Sequence, residues 1–191
     1  MSQPNPIDQL FREFPVLETG RLRLRAITPA DAEAVFAIFS DEEVTRHYDL
    51  YTFEEMEEAD ELIDFMAESY EVERQVRWGV ARKEDDRLLG TCGFVWLREH
   101  RAEIGYDLAR AYWGQGIMRE ALGALLALAF DRLDLNRIEA LVMPGNARSM
   151  ALLTRLGFVH EGTLREYDHF KGRFQDLEMY ALLKRDWSSP V

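Results

Sequence analysis

The chain has 191 residues, the size of one domain, and its 47% apolar content is sufficient for a buried core. A net charge of −12 argues against a protein that wraps nucleic acid, because such proteins present clustered lysine and arginine. No apolar run approaches the ~20 residues that span a bilayer, and the first fifteen residues lack the apolar stretch of a signal peptide.

The N-terminal part of the chain predicts an appendage followed by a strand and a helix. We interpret residues 1–15 as an N-terminal extension and residues 16–191 as one domain. Residues 21–25 alternate polar and apolar side chains, which is typical of a half-buried strand. Thr28 and the proline after it form a helix start, and the helix is expected to end near Phe39.

A second helix is expected after Thr52, which can cap it together with Glu55 in a capping box. Apolar residues then recur at helical spacing and mark the buried stripe of this helix. These residues are Met56, Ala59, Leu62, Ile63, Met66 and Tyr70.

The remaining elements alternate in period between strand and helix. Three strands in succession predict an antiparallel meander, at residues 76–82, 88–97 and 102–108. A helix, a short strand, a helix and two strands follow, at residues 116–133, 137–142, 147–156, 157–164 and 174–183. This order predicts a mixed α/β sheet with helices on its faces.

The negative charge is concentrated in residues 41–73, which we call the acidic segment. It contains 14 acidic residues and one arginine and therefore carries −13, which leaves the rest of the chain almost neutral. Two interpretations stay open. The acids form the solvated outer face of a helix, or they form a surface that attracts a cationic partner.

The first motif with chemical meaning runs from Trp113 to Arg119, between a strand end and a helix start. Gly114 and Gly116 flank Gln115 and let the backbone approach a ligand closely. The free N–H groups of the following helical turn favour an anion such as a pyrophosphate. A tight turn without a ligand is the alternative, and the motif matches neither a Walker loop nor a dinucleotide-binding fingerprint.

The second motif follows a short strand and opens the next helix. Asn146 can cap this helix, and Ser149 lies three positions later. The helix then leads to Leu156, Gly157 and Phe158, with Gly157 as a plausible residue just beyond its C-terminus. The alternative roles are capping alone for Asn146 and a backbone hydrogen bond for the Ser149 hydroxyl.

Together the two motifs resemble the GNAT acetyltransferase superfamily. Residues 103–106, 120–121 and 176–180 narrow the resemblance to the RimJ/RimL branch, which acetylates the N-termini of ribosomal proteins; it spans about Leu17 to Lys184. The resemblance implies the GNAT fold, a mixed and mostly antiparallel seven-stranded sheet with helices on both faces and a V-shaped split between central strands. Trp113 and Met118 depart from the usual superfamily pattern, but the branch tolerates both.

The resemblance implies acetyl-CoA as a cosubstrate and no metal. The pyrophosphate would be held by backbone N–H groups of Trp113, Gly114, Gln115, Gly116, Ile117, Met118 and Arg119. The pantetheine amides and the thioester carbonyl would contact the backbone of Tyr106, Asp107 and Leu108. Asn146 would touch the pantetheine, and Ser149 would protonate the departing thiolate.

Forming an amide from a thioester requires a neutral amine, a stabiliser for the oxyanion and an acid for the sulfur. An α-amine has a pKa of ~8, so a carboxylate acting through water is a sufficient base. We rank Asp168 first, at the position that the branch uses, and Glu103 second. Glu166 is third and shares a strand face with Asp168 if that stretch is extended. An ordinary surface or ion-paired acid is the alternative for each.

Other reactive side chains have simpler interpretations. Cys92 is the only cysteine, so an intramolecular disulfide is impossible and a reducing, cytoplasmic location is expected. It lies in a predicted apolar strand, which indicates a buried core thiol. The histidines show no metal-ligand spacing, and His169 is either a contact for the acceptor or a surface residue.

The leading hypothesis is acetyl transfer to the N-terminal α-amine of a basic protein or peptide. The resemblance places the second helix and the residues before it beside the acceptor groove, so the acidic segment would attract such a partner. Acetylation of a small amine, such as a polyamine, amino sugar or antibiotic, and a non-catalytic acyl-CoA-binding module are the alternatives. We expect a monomer or homodimer, with neither nucleic acid nor membrane as a partner.

Overall fold

The computed structural model describes residues 6–188 and contains one mixed sheet with helices packed against it. The strands are β1 (Leu17–Glu18), β2 (Leu22–Arg25), β3 (Val76–Arg82), β4 (Leu88–Arg98), β5 (Arg101–Leu108), β6 (Arg137–Val142), β7 (Val159–Phe170) and β8 (Arg173–Leu183). The α-helices are α1 (Pro6–Leu10), α2 (Ala32–Phe39), α3 (Glu42–Thr45), α4 (Met56–Glu71), α5 (Ile117–Ala127) and α6 (Ala147–Arg155).

The strand order is β1-β2-β3-β4-β5-β6-β8-β7, and β5 with β6 is the parallel pair in an otherwise antiparallel sheet. The predicted mixed, mostly antiparallel sheet is therefore confirmed. It has eight strands rather than seven, because Leu17 and Glu18 pair with β2. A strand of two residues is too short to produce an alternating pattern and could not be predicted from one.

Helices cover both faces of the sheet, as predicted. Trp78 and Val80 belong to a core cluster that contains the buried residues of α5. Between them, Gly79 faces the opposite way, where a side chain would meet Leu88 and Ile27. Those two residues lie in a second cluster, which α2 and α4 complete.

The predicted V-shaped split lies between β5 and β6. The two strands pair only from Arg101 to Glu103 on β5 and from Arg137 to Glu139 on β6. Beyond Glu103 they diverge, and in the described chain no strand pairs with that side of β5 from residue 104 onward. The backbone N–H and C=O groups on this side of β5, from residue 104 onward, are therefore available to a ligand.

The N-terminal residues of the described range pack against the sheet and α4. Leu10 is buried, and its carbonyl accepts a hydrogen bond from the Tyr70 hydroxyl at 2.9 Å. The Trp78 indole donates to the Pro15 carbonyl at 2.7 Å. The division of the chain at residue 15 stays a prediction.

The start of α4 differs from the sequence-based expectation. Glu55 rather than Thr52 is the N-cap, and the Glu58 carboxylate accepts hydrogen bonds from the backbone N–H groups of Glu54 and Glu55. The Thr52 hydroxyl instead lies 2.7 Å from the Thr45 hydroxyl. Thr52 therefore bonds to Thr45 instead of capping α4, although the local sequence pattern predicts a cap.

Two further boundaries were wrong. The helix expected over residues 116–133 is α-helical only to Ala127 and ends in a π-helical turn, Leu128–Arg132. Strand β7 continues to Phe170 instead of ending at Leu164, because its pairing with β8 resumes at Asp168 after an irregular stretch. Burial does not reveal this extension, since residues 165–169 are exposed.

Candidate active site

The turn before α5 forms an open concave surface of backbone groups. Gly114 and Gly116 both have φ of +74°, a left-handed conformation that favours glycine. A side chain at Gly114 would meet no atom within 4 Å, and one at Gly116 would approach only Arg21. The first-turn N–H groups of α5 have no helical acceptors, so the turn can hold an anion.

The same turn is held in place by its side chains. Glu120 accepts hydrogen bonds from the Thr19 hydroxyl at 2.6 Å and from the backbone and Nε of Arg21 at 2.8 and 2.7 Å. Burial opposes ionisation of Glu120, but these bonds outweigh it and lower its pKa. The Gln115 amide donates to the Ala111 carbonyl at 2.8 Å, so its side chain is directed at the protein.

The hydrophobic members of the motif also turn inward. Ile117 and Met118 are buried in the core, and the Trp113 indole donates to the Leu108 carbonyl at 2.7 Å. Only main-chain groups of these residues face the open surface. The Leu108 carbonyl already has one partner, which limits what it can offer a ligand.

Two arginines that the sequence analysis did not single out flank the turn. The Arg21 guanidinium donates to the Gln115 carbonyl at 3.1 Å. The Arg148 guanidinium lies over the Trp113 ring, 4.5 Å from its centroid. Arg148 increases the attraction of the turn for an anion, whereas the charge of Arg21 is partly balanced by Glu120, which lies 2.7 Å from its Nε. Arg148 lies inside the Asn-x-x-Ser motif, but only the fold brings it to Trp113.

Asn146 and Ser149 lie at the start of α6, on the other side of the split. As predicted, Asn146 caps the helix, and its side-chain oxygen accepts from the Ser149 backbone N–H at 3.2 Å. The Ser149 hydroxyl lies 2.6 Å from the Tyr106 hydroxyl of β5. The sequence analysis had assigned only the backbone of Tyr106, so this side-chain contact was missed.

Glu103 is the last residue of the β5–β6 ladder, at the point where the split opens. Its carboxylate accepts from the Trp96 indole at 2.8 Å. Burial raises the pKa of Glu103, and the nearby charges of Glu139, Asp168 and Asp49 act in the same direction. Because a raised pKa makes a carboxylate a stronger base, this environment suits Glu103 for accepting a proton near neutral pH.

Asp168 lies close enough to Glu103 for its charge to raise the pKa of Glu103, but Asp168 itself is exposed. Its carboxylate accepts from the backbone N–H of His169 at 2.8 Å. The His169 ring packs against Phe174, with centroids 5.0 Å apart.

Glu166 does not share a regular strand face with Asp168, so the expected spacing was wrong. The β7–β8 pairing is irregular between Leu164 and Asp168, and Glu166 has φ of +49°. Its backbone N–H donates to the Asp176 carboxylate at 2.7 Å. An irregularity of this kind redirects side chains. Neither the charges nor the hydrophobic pattern of residues 164–168 predicts it.

Asp107 belongs to a buried polar network under the split. Its carboxylate accepts from the Arg77 guanidinium at 2.6 Å, from the Thr91 hydroxyl at 2.5 Å and from the Thr91 backbone at 3.0 Å. Arg77 also donates to the Tyr48 hydroxyl at 2.9 Å. The Asp107 side chain is therefore structural, and only its backbone can serve a ligand.

A cleft of about 480 Å³ lies between the end of α3 and the start of β8. Arg46, His47, Met143 and Phe174 are among its lining residues. Burial lowers the pKa of His47, and the charges of Arg46, Lys171 and Arg148 lower it further. The charged residues that line the cleft are Arg46, Arg173, Glu166 and Asp176, so its charge is mixed.

Most acids of α4 lie on its solvent-exposed face, whereas Ala59, Ile63 and Met66 form its buried side. Asp41 pairs with Arg110 at 2.8 Å, and the charge of Asp49 contributes to the raised pKa of Glu103.

Cys92 is fully buried, as predicted, and burial raises the pKa of its thiol to about 12. In residues 6–188, no group of three or more His, Cys, Asp or Glu side chains is arranged to hold a metal ion. Over the same range, no helix combines the length and apolar character that crossing a membrane requires.

Residues 21–159 match the family model described as the acetyltransferase (GNAT) domain. A Bacillus subtilis (strain 168) protein, named as the uncharacterized N-acetyltransferase YoaA, is 42% identical over 90% of this chain and 98% of its own. The Escherichia coli (strain K12) [ribosomal protein uS5]-alanine N-acetyltransferase is 32% identical over 58% of this chain and 59% of its own.

A solved structure of an acetyltransferase (GNAT family) from Bacillus anthracis has the same fold. Its TM-score is 0.79 at 24% identity, and the match covers 90% of this chain and 99% of the other.

Proposed function

The chain belongs to the GNAT acetyltransferase family, and we propose that it transfers the acetyl group of acetyl-CoA to the N-terminal α-amine of a protein. The observation that carries the proposal is the open turn at Gly114–Gly116, which leads along the unpaired side of β5 to the Ser149 hydroxyl. This path suits a long cosubstrate with a diphosphate at one end and a thioester at the other.

The residues present fit acetyl-CoA. Backbone N–H groups at the start of α5 would bind the pyrophosphate, with Arg21 and Arg148 adding positive charge on either side. The free side of β5 near Tyr106 would bind the pantetheine amides. Acetyl-CoA would supply an activated acyl group, so no covalent enzyme nucleophile is needed.

Two groups would handle the protons. Glu103 would accept the proton that the amine loses on attack, directly or through water, and the burial that raises its pKa supports this role. Asp168 would attract the incoming ammonium, because it lies in the same electrostatic neighbourhood and is exposed. Ser149 would donate a proton to the departing sulfur.

The choice of a protein α-amine rests on the opening of the site and on one relative. Asp168 and Asp49, whose charges act on Glu103, are both exposed, which suits a chain end better than an enclosed small molecule. The Escherichia coli relative named above acts on a ribosomal protein alanine, as its name states. Small amines are the second candidate.

The test measures thiol release from acetyl-CoA with a basic peptide, with the same peptide blocked at its N-terminus, and with a panel of small amines. We expect release with the free peptide and none with the blocked one. Turnover of small amines alone would replace the proposed acceptor, whereas CoA binding without any turnover would identify a binding module.

Salt provides an independent check on the acidic segment. If these acids attract the acceptor, added salt will weaken turnover of a basic peptide more than that of a neutral amine. Since most acids of α4 are exposed, equal sensitivity would assign them to a solvated face.

A further inference from the structure

We propose that the side chain of Tyr106 positions Ser149, by donating a hydrogen bond to Ser149 Oγ that leaves the Ser149 proton free to point at the departing sulfur. The inference rests on the proposed function. It adds a role for the Tyr106 side chain, whose backbone alone was considered for cosubstrate binding.

The contact spans the split at the place where the thioester would lie. Tyr106 is beyond the last paired residue of β5, Glu103, and Ser149 is in the first turn of α6. Their oxygens are 2.6 Å apart, although 43 positions separate them in sequence. The Asn146 side chain accepts a hydrogen bond from the backbone N–H of Ser149, so the main chain and the side chain of the serine have different partners.

The direction of the hydrogen bond follows from the acidity of the two hydroxyls. A phenol is more acidic than an aliphatic alcohol, so the Tyr106 hydroxyl is the better donor and Ser149 Oγ the better acceptor across the 2.6 Å contact. Tyr106 is half-buried, and burial raises its pKa to about 12, which keeps its oxygen protonated. When Ser149 accepts through a lone pair, its own hydrogen is free for another partner.

This arrangement supports a balanced transfer. The nitrogen–carbon bond forms, the carbon–sulfur bond breaks, and the electron pair of that bond stays on sulfur. Sulfur takes the Ser149 proton, and Ser149 recovers one through solvent after the amine nitrogen has released a proton to Glu103. Tyr106 stabilises the partial negative charge that builds on Ser149 Oγ, and it keeps its own proton because solvent reprotonates Ser149 as the sulfur is protonated, so that no free alkoxide forms.

The first measurement is kinetic and compares Tyr106→Phe, Ser149→Ala and the double variant with the unmodified enzyme. Removing the tyrosine hydroxyl should lower kcat about tenfold while the KM for acetyl-CoA stays nearly constant, since one hydrogen bond is lost. The double variant should be no slower than Ser149→Ala, because both changes interrupt one unit. Tyr70→Phe removes an equivalent hydroxyl far from the split and should leave kcat unchanged.

The second measurement needs no acceptor and titrates the thiol of bound CoA by the ultraviolet absorbance of its thiolate. If Tyr106 holds Ser149 toward sulfur, Tyr106→Phe and Ser149→Ala should each raise the bound thiol pKa by about one unit. A shift with Ser149→Ala and none with Tyr106→Phe would overturn the inference. Absence of CoA binding by the unmodified protein would overturn the proposed function itself. If both variants raise the thiol pKa but no amine is acetylated, the acetyl transfer is refuted and the role of Tyr106 stands.

Discussion

Substituting Gly116 by leucine should separate the ligand role of the α5 turn from its role in folding. The backbone here has φ of +74°, which costs a residue with a Cβ about 1–2 kcal/mol. The new side chain has room, since only Arg21 Nη2 lies within 4 Å, at 3.7 Å from the added Cβ. We therefore expect Tm to fall by about 2–8 °C and the fold to persist.

The effect on binding should be much larger. A leucine side chain would occupy the concave surface that the diphosphate needs and displace it from the first-turn N–H groups. Losing two charge-assisted hydrogen bonds costs about 3 kcal/mol or more, which weakens CoA binding more than about 100-fold.

Gly172 supplies the matched control for this experiment. It has the same φ of +74° and no atom within 4 Å of an added Cβ, but it lies at the tip of the β7–β8 hairpin. Gly172→Leu should reproduce the change in Tm and leave CoA affinity intact, as measured by calorimetry and thermal unfolding. Equal CoA affinity in Gly116→Leu and the unmodified protein would refute the assignment of the turn.

Two further predictions concern the carboxylates and the buried ion pair. Because the pKa of Glu103 is raised, kcat should increase with pH around an apparent pKa above that of an ordinary glutamate. Glu103→Gln should remove this increase, whereas Asp168→Asn should keep it. Loss of the increase only in Asp168→Asn would make Asp168 the base. Arg77→Met should lower the free energy of unfolding by about 3–5 kcal/mol in denaturant titrations, because it leaves Asp107 buried without its partner. Arg23→Met, which breaks an exposed pair, should leave the free energy of unfolding nearly unchanged, and a similar loss in both variants would contradict the importance of burial.

The glycine turn before α5 and the cap of α6 were predictable because they are local. Gly116 has a left-handed conformation just before α5, and Asn146 accepts from the backbone N–H three residues later. Each feature depends on only a few consecutive residues. The buried Cys92 followed equally from its position in an apolar strand. The start of α4 was misplaced for the opposite reason, since Thr52 found a partner in Thr45 outside its own turn.

Sequence alone thus determined the family resemblance, the order of the main helices and strands, the glycine turn before α5 and the Asn146 cap of α6, because each depends on neighbours within one or two turns. Tertiary structure decided which side chains meet across the split. Tyr106 reaches Ser149 over 43 positions and Arg21 reaches Glu120 over 99, and the β7 bulge turns Glu166 away from Asp168. Such contacts depend on strand register and on where β5 and β6 separate, which are set by packing of the whole sheet rather than by any local pattern.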